Sequence, residues 1–491
     1  MNTIKLGLCG LAILLLSSCD SQEVSSQVET VITDSVTPVQ VTTEASRPNV
    51  LFILVDDMGY NDVSYNGSEI STPTIDRFAS EGIQLDRNYV YPICSPTRAA
   101  LLSGQNPLRY GVDAPMSDLK TMPTDIKLMP EYFKDLGYQT LMIGKWHLGL
   151  ANTDYWPSAR GFDYHYGFLA GWTDFYSHIY AGGVDWQRNG ETVREEGHTT
   201  DLMTDDAIRL INEQDEEAPF FMYLSYNAPH SPLQHPPAET GLVNEEGAND
   251  RSVYSEMMIH LDQGIAKVVE ALESKGILDN TIVVFSSDNG GSTRLGANND
   301  PFRGQKGSTL EGGIRVPATV WAPGLIDGGK VMDQPIVMTD WLPTLLEAVG
   351  GDPSVVDNLD GQSMWSALTT GAQIDHKPFV IGANRNRAVF DWPWKLVQIN
   401  GEPGSAENIQ LYNVVEDPSE QNDLLGQEQE KVDELVAILQ SIPVAESVRS
   451  SDRNGSVTTW YFRKDDGLFD YNLSIEEVRE PWADAAVRGT N

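Results

Sequence analysis

Apolar residues in this chain come in short unbroken runs, and each run ends in a polar cluster. Residues 49–55 (Asn-Val-Leu-Phe-Ile-Leu-Val) lead into Asp56-Asp57, and residues 139–143 lead into Gly144-Lys145-Trp146-His147. Residues 219–226 lead into Asn227-Ala228-Pro229-His230, and residues 281–287 into Asp288-Asn289-Gly290-Gly291. Runs of this length without alternation predict strands buried on both faces. Between them, helical spacing of apolar positions predicts helices over 74–81, 131–136, 201–214 and 252–275. Alternating strands and helices predict an α/β fold with a mostly parallel sheet covered by helices on both sides. Ligands in such sheets bind beyond the carboxyl ends of the strands, where every one of these polar clusters falls. The pattern therefore predicts one composite site.

From about residue 376 the texture changes. Residues 388–397 and 410–415 read as strands, Asp417-Pro418 as a turn, and 428–440 as an amphipathic helix. We divide the chain into a leader (1–18), a tether (19–46), a main domain (47–375) and a C-terminal subdomain (376–491). Residues 442–491 carry Trp460, Tyr461 and Trp482 but no readable motif. At the other end, Lys5 precedes an apolar run, 6–16, that is too short to span a bilayer and reads as an export signal. It closes on Leu16-Ser17-Ser18-Cys19, which resembles a bacterial lipoprotein box with Cys19 as the lipidated first residue. Residues 20–46, with five acids and no Lys or Arg, read as a disordered tether. The expectation is an exported bacterial lipoprotein, held to a membrane by its lipid alone and facing the periplasm or the cell exterior.

Composition then narrows the partners. With 33 basic against 71 acidic residues the formal charge is −38, which argues against nucleic acid or an anionic membrane surface as partner. A polyanionic substrate would be repelled at long range and would need a locally basic pocket, screening salt or a metal. The three cysteines are Cys9, Cys19 and Cys94. Removal of the first and lipidation of the second leave Cys94 without a disulfide partner in an exported chain, where pairing is usual.

Cys94 opens the stretch Cys94-Ser95-Pro96-Thr97-Arg98, followed by Ala99-Ala100-Leu101-Leu102. Pro96 suits the first turn of a helix, so Cys94 is expected at or just before a helix N-terminus, where unpaired N–H groups favour anions. The adjacent carboxylates Asp56 and Asp57, joined by Asp288 and Asn289, offer only oxygen donors, which suit a hard cation such as Ca²⁺ or Mg²⁺ rather than zinc.

The stretch Pro92-Ile93-Cys94-Ser95-Pro96-Thr97-Arg98 resembles the modification site of type I sulfatases, and 137–147 (Gly-Tyr-Gln-Thr-Leu-Met-Ile-Gly-Lys-Trp-His) resembles their second signature. One departure is Leu102-Ser103-Gly104-Gln105 where the family usually has Leu-Thr-Gly-Arg. The resemblance implies an alkaline-phosphatase-like fold with a smaller C-terminal subdomain built on a short antiparallel sheet. It implies that Cys94 is oxidised to formylglycine (3-oxoalanine) by a maturing enzyme, and that an oxygen of the hydrated aldehyde attacks sulfur. Asp56, Asp57, Asp288, Asn289 and residue 94 itself would hold calcium, and Arg98 would hold the diol. Lys145 and Lys306 would grip sulfate, His147 would help expel it, and His230 would protonate the leaving alcohol.

The resemblance is nearest to arylsulfatase B-like enzymes, and bacterial members act on carrageenan, ulvan or glycosaminoglycans. Trp172, Asp174, Tyr176, His178, Arg294 and Asn298 are expected sugar contacts, since an aromatic with nearby polar groups suits a sugar ring. His165, His198, His235, His260 and His376 are given no role. The expected function is a sulfuric ester hydrolase on a sulfated polysaccharide or oligosaccharide. The alternatives are a phosphonate monoester hydrolase or phosphodiesterase of the same superfamily, an inactive glycan-binding lipoprotein, and thiolate catalysis by Cys94 itself.

Overall fold

The computed structural model describes residues 47–447 except 117–119, 151–152, 181–182, 215–217, 243–248 and 403. The leader, the tether, Cys19 and the aromatic residues beyond 447 lie outside the described residues. The elements that frame the site are, in chain order, β1 (Asn49–Val55), α1 (Cys94–Ser103), β2 (Gln139–Lys145), β3 (Phe220–Ser225), α2 (Asp250–Lys275) and β4 (Thr281–Ser287). The C-terminal elements are β5 (Phe379–Ala383), β6 (Asn386–Asp391), β7 (Trp394–Gln398), β8 (Ile409–Asn413) and α3 (Gln429–Ser441).

Among the described residues the main sheet has ten strands, with β2, β3, β1 and β4 side by side at its centre and all parallel. Its flanks are mixed: Tyr164–Phe168 joins β2 in parallel, whereas Ala318–Trp321 runs antiparallel to β4. All seven residues of β1 are buried, and they divide by strict alternation. Val50, Phe52 and Leu54 pack into one core, with Ala99 to Leu102 of α1 and Trp341. Leu51, Ile53 and Val55 pack into the other, against Leu261, Ile265 and Val268 of α2. Period-two side chains on a doubly covered strand explain why the run is continuously apolar. At about 2 kcal/mol for each fully buried aliphatic or aromatic side chain, β1 is a principal anchor of the fold.

Most predicted elements appear, with displaced starts. The helices run Pro73–Glu81, Met129–Asp135, Thr199–Glu213 and Asp250–Lys275, so three of the four begin two residues before expectation. The caps explain it: the His198 side chain accepts from the Thr200 amide, and Asn249 accepts from Ser252. Residues 388–397, expected as one strand, are two. β6 and β7 meet at a tight turn through Trp392-Pro393, with Asp391 opposite Trp394. A proline cannot donate to a ladder inside a sheet, and its position was the available signal. β5 to β8 form a four-stranded antiparallel sheet, and α3 covers it by packing Val432, Leu435 and Leu439 on Val380, Val389, Leu396 and Leu411.

Candidate active site at the strand ends

Four neighbouring parallel strands deliver their C-terminal residues to one place. Asp56 and Asp57 follow β1, Lys145 is the last residue of β2, Asn227 to His230 follow β3, and Asp288 and Asn289 follow β4. Backbone hydrogen bonds fix this registry, from Asp56 N to Ala228 O (3.2 Å) and from Asp288 N to Val55 O (2.9 Å). Gly144 is what lets β2 turn its lysine inward. Its φ is +102°, and a Cβ there would lie 1.9 Å from the Ser225 carbonyl oxygen, so only glycine fits.

Cys94 is the first residue of α1 and is 2% exposed. Its Sγ lies 3.5 Å from Asp56 Oδ1. One ligand atom from each of Asp56, Asp57, Cys94 and His230 lies within 4.8 Å of the others. Cations close the cluster. Lys145 Nζ sits 2.6 Å from Asp56 Oδ2, with both side chains fully buried. Lys306 Nζ bridges the two Asp57 carboxylate oxygens at 2.7 and 2.8 Å. Arg98 donates from Nε (3.1 Å) and Nη2 (2.8 Å) to Asp288 Oδ2. Its Nη1 donates to the Lys145 carbonyl (3.0 Å), Tyr223 Oη (3.3 Å) and Ser225 Oγ. Three buried carboxylates are thus matched by three cations, as their burial demands.

Asn289 supplies the observation that bears on a metal. Its Nδ2 donates to Asp57 Oδ1 at 2.7 Å, while its Oδ1 is buried with no hydrogen-bond partner. An orphaned amide oxygen among three carboxylates is the donor set a hard divalent cation takes.

Electrostatics set the protonation states. Burial acts to raise the Asp57 carboxyl, but Lys306 and His230 outweigh it and hold it well below the usual carboxylate range. Burial and the neighbouring Asp56 push Asp288 up. Burial, then Asp288, raises the Cys94 thiol, the reverse of what a thiolate nucleophile needs. Burial and the nearby cations depress both site histidines, His147 well below its ordinary value and His230 to about 3, so both imidazoles are neutral.

Exposure is graded across the site. Asp56, Arg98, Lys145 and Asp288 are fully buried, whereas the side chains of His230 and Lys306 are 14% and 24% exposed and stand at the mouth. His147 takes a left-handed backbone (φ +58°), as does Asp57 (φ +69°). Such conformations in buried non-glycine residues persist where the surroundings over-determine them. For His147 those surroundings include Gly171, where a Cβ would lie 2.5 Å from Nε2, and Ser95 Oγ, which donates to the His147 carbonyl at 2.8 Å. The amide of Met116 donates in turn to Ser95 Oγ at 2.9 Å. His147 Nδ1 is buried without a partner.

The expected catalytic and metal-binding side chains thus share one site. The expected sugar contacts are more scattered. Asp174 Oδ1 accepts from the amides of Tyr176 and Ser177, and its Oδ2 accepts from Gln234, so the carboxylate shapes its own loop. His178 is 2% exposed, stacks on Trp186 and bonds the Gly197 carbonyl. Trp172 meets Tyr180 edge to face, and Tyr176 is 42% exposed. Arg294 lies in the turn Thr293–Leu295, and the Asn298 amide donates to Asp62. Ser95, Gly171, Tyr223 and Ser225 were not singled out from the sequence. Ser95 lay inside the Cys94 motif and Ser225 at a strand end, so position carried the only signal for either.

A profile of the Sulfatase family matches residues 48–351. Arylsulfatase J of Mus musculus is 36% identical over 345 residues, an alignment covering 68% of this chain and 58% of that protein. N-acetylgalactosamine-6-sulfatase of Homo sapiens is 32% identical over 360 residues, covering 68% of each chain. Among solved structures, Ps i-CgsB in complex with k-i-k-neocarrahexaose superposes with a TM-score of 0.74 at 32% identity, covering 82% of this chain and 95% of the other. The sheet, the strand-end cluster and these likenesses together place the chain in the sulfatase family.

Proposed function

We propose that this protein hydrolyses sulfate esters on a sulfated polysaccharide or oligosaccharide, of carrageenan, ulvan or glycosaminoglycan type. The observation that carries the proposal is the arrangement around Cys94. A buried sulfur stands at a helix N-terminus, beside an oxygen-rich acidic cluster, with two lysines and two neutral histidines around it. The relative solved with a neocarrahexaose and the relative named for N-acetylgalactosamine 6-sulfate support a carbohydrate substrate.

Asp56, Asp57, Asp288 and Asn289 would hold a calcium ion, and residue 94, oxidised to formylglycine by a maturing enzyme, would complete the set. When bound, the ion would offset charge on the sulfuryl oxygens, and the hydrated aldehyde would supply the attacking oxygen. The chain's own groups do the rest. Lys145 and Lys306 now hold Asp56 and Asp57, and a sulfate group arriving between them offers both ammonium groups a second anion. His230, at the mouth and 3.7 Å from Asp57 Oδ2, is placed to give a proton to the leaving alcohol once an anion beside it favours its charged form. His147, neutral, with an unpaired Nδ1 and a ring fixed against Gly171, is the base of the pair. Arg98 has its donors engaged by Asp288, Lys145, Tyr223 and Ser225, and it holds the ends of three strands, β2, β3 and β4, at fixed separation.

From the sequence we also propose that Cys19 carries lipid and anchors the protein to a membrane facing the periplasm or the cell exterior. Labelling with a fatty-acid probe, lost in Cys19→Ala, tests the anchor. Parallel turnover of aryl sulfate, phosphate monoester and phosphonate monoester tests the chemistry. Dominant sulfate release from the sulfate ester is expected, and dominant phosphonate turnover would overturn the reading.

A further inference from the structure

A chain of charge −38 that binds a polyanion needs positive charge beyond the reaction centre, where Arg98, Lys145 and Lys306 are each matched to a carboxylate. The C-terminal sheet brings such charge to the rim. β5 and β6 form a hairpin with a two-residue turn, Asn384-Arg385, since Ala383 pairs with Asn386. This turn is fastened to the walls of the site on two sides. Asn386 Nδ2 donates to the Gly307 carbonyl at 3.1 Å, next to Lys306, and the Gly307 amide donates to the Pro92 carbonyl (2.7 Å), two residues before Cys94. On the other side the Asn384 amide donates to the Asp113 carbonyl at 2.6 Å. The segment holding Asp113 runs on to Met116, whose amide bonds Ser95.

Two arginines occupy this hairpin. Arg387 is 5% exposed, and its Nη1 donates to the Asn384 and Asn386 carbonyls at 2.8 and 2.7 Å. Gly382 lies directly across the ladder, where a Cβ would come within 2.4 Å of Arg387 Cδ, so the glycine makes room for the arginine to fold back under the turn. Among the described residues no carboxylate lies within ion-pairing distance of Arg387, and Asp113 is the carboxylate that acts on it from further off. Arg385 stands at the tip with its side chain 55% exposed, and among the described residues its one ion pair is with Glu402, which is 63% exposed. Exposed pairs of this kind are weak and readily exchanged for a better anion.

We propose that this hairpin is a binding subsite for an anionic group, a sulfate or a carboxylate, on the sugar adjoining the one that is desulfated. Arg385 makes the contact, and Arg387 holds the turn from beneath through the Asn384 and Asn386 carbonyls. The inference rests on the sulfated-saccharide reading and adds to it a preference for a charged neighbour.

The test compares wild type, Arg385→Ala, Arg385→Lys and Glu402→Gln on an aryl sulfate and on oligosaccharides whose adjoining unit carries a sulfate, a carboxylate or neither. Arg385→Ala should lower kcat/KM for the charged-neighbour oligosaccharides by about tenfold more than for the aryl sulfate, mainly through KM, because a charge-assisted hydrogen bond is lost. Arg385→Lys should recover part of the loss. Glu402→Gln should lower KM for the same substrates, a change of sign that general damage to the hairpin would not produce. The sulfate and carboxylate arms identify the group that is held. Equal losses on all substrates, or no dependence on the neighbour's charge, would overturn the subsite. A wild type inert on every sulfate ester would overturn the sulfatase reading instead. Calorimetric binding of the same oligosaccharides to wild type and Arg385→Ala would still decide the subsite, with equal affinities counting against it.

Discussion

At the scale of single residues, the site is arranged so that the position we propose as reactive contributes little to its own support. Cys94 Sγ makes a 3.5 Å contact with Asp56 and is otherwise enclosed. Cys94→Ala is therefore expected to abolish sulfate release, with a loss of at least about a thousandfold, while shifting the melting temperature by only a few degrees. Loss of both together in a melting and turnover comparison would mean that the residue is structural. His165 offers a test of burial, which outweighs its hydrogen bond to the Gly144 backbone. It is 2% exposed, its Nε2 has no partner, and burial holds its pKa near 4. A histidine depressed in the fold binds its proton first in the unfolded chain, so stability is complete above about pH 6.5 and falls as acid approaches the folded value. Linkage puts this group's share at roughly 2 kcal/mol lost between pH 7 and pH 5. Denaturant titrations at the two pH values should show the difference shrinking by that amount in His165→Gln.

At the scale of elements, what the sequence made legible was set by which interactions are local. β1 and β4 could be bounded to the residue because each is continuously buried and stops at a polar pair, Asp56-Asp57 or Asp288-Asn289. α1 could be placed because proline and a following apolar run define a first turn. The partners were not legible. Nothing in the order of residues says that Lys145 meets Asp56, that Arg98 ties Asp288 to Ser225, or that Gly171 lies against His147, because those contacts depend on which strands become neighbours. The same is true of the join between the two sheets. Lys395 of β7 is fully buried with its Nζ 2.8 Å from both Glu311 and Glu420, while the Glu311 amide donates to Glu420 Oε2 at 2.7 Å. Glu311 follows the segment bearing Lys306, so this charged joint links the C-terminal sheet to one lysine of the site. Lys395→Met leaves two buried carboxylates facing each other and is expected to cost about 3–5 kcal/mol in a denaturant titration. A cost below about 1 kcal/mol would mean the joint carries no strain-free pairing of consequence.

At the scale of the whole molecule, a chain of formal charge −38 is set against the anionic substrate we propose. Long-range repulsion should slow the approach of a polyanion at low ionic strength and be screened as salt rises through the range where the Debye length falls to about 10 Å. We expect kcat/KM for a sulfated oligosaccharide to increase between low and physiological salt, and to change much less for a singly charged aryl sulfate. A fall for the oligosaccharide would place local attraction above the global field. Chelation should remove activity and calcium should restore it. The fold should survive chelation, because Lys145, Lys306 and Arg98 already neutralise Asp56, Asp57 and Asp288. Circular dichroism of the chelated protein reads this directly, and global unfolding would contradict it.

The most direct test of the account is mass spectrometry of the peptide containing residue 94, made on protein from its native host whose sulfate-releasing activity has been measured in the same preparation. An aldehyde or its hydrate is expected in place of the thiol, in a fraction that tracks activity from one preparation to the next. A fully active preparation in which Cys94 is an intact thiol would contradict it.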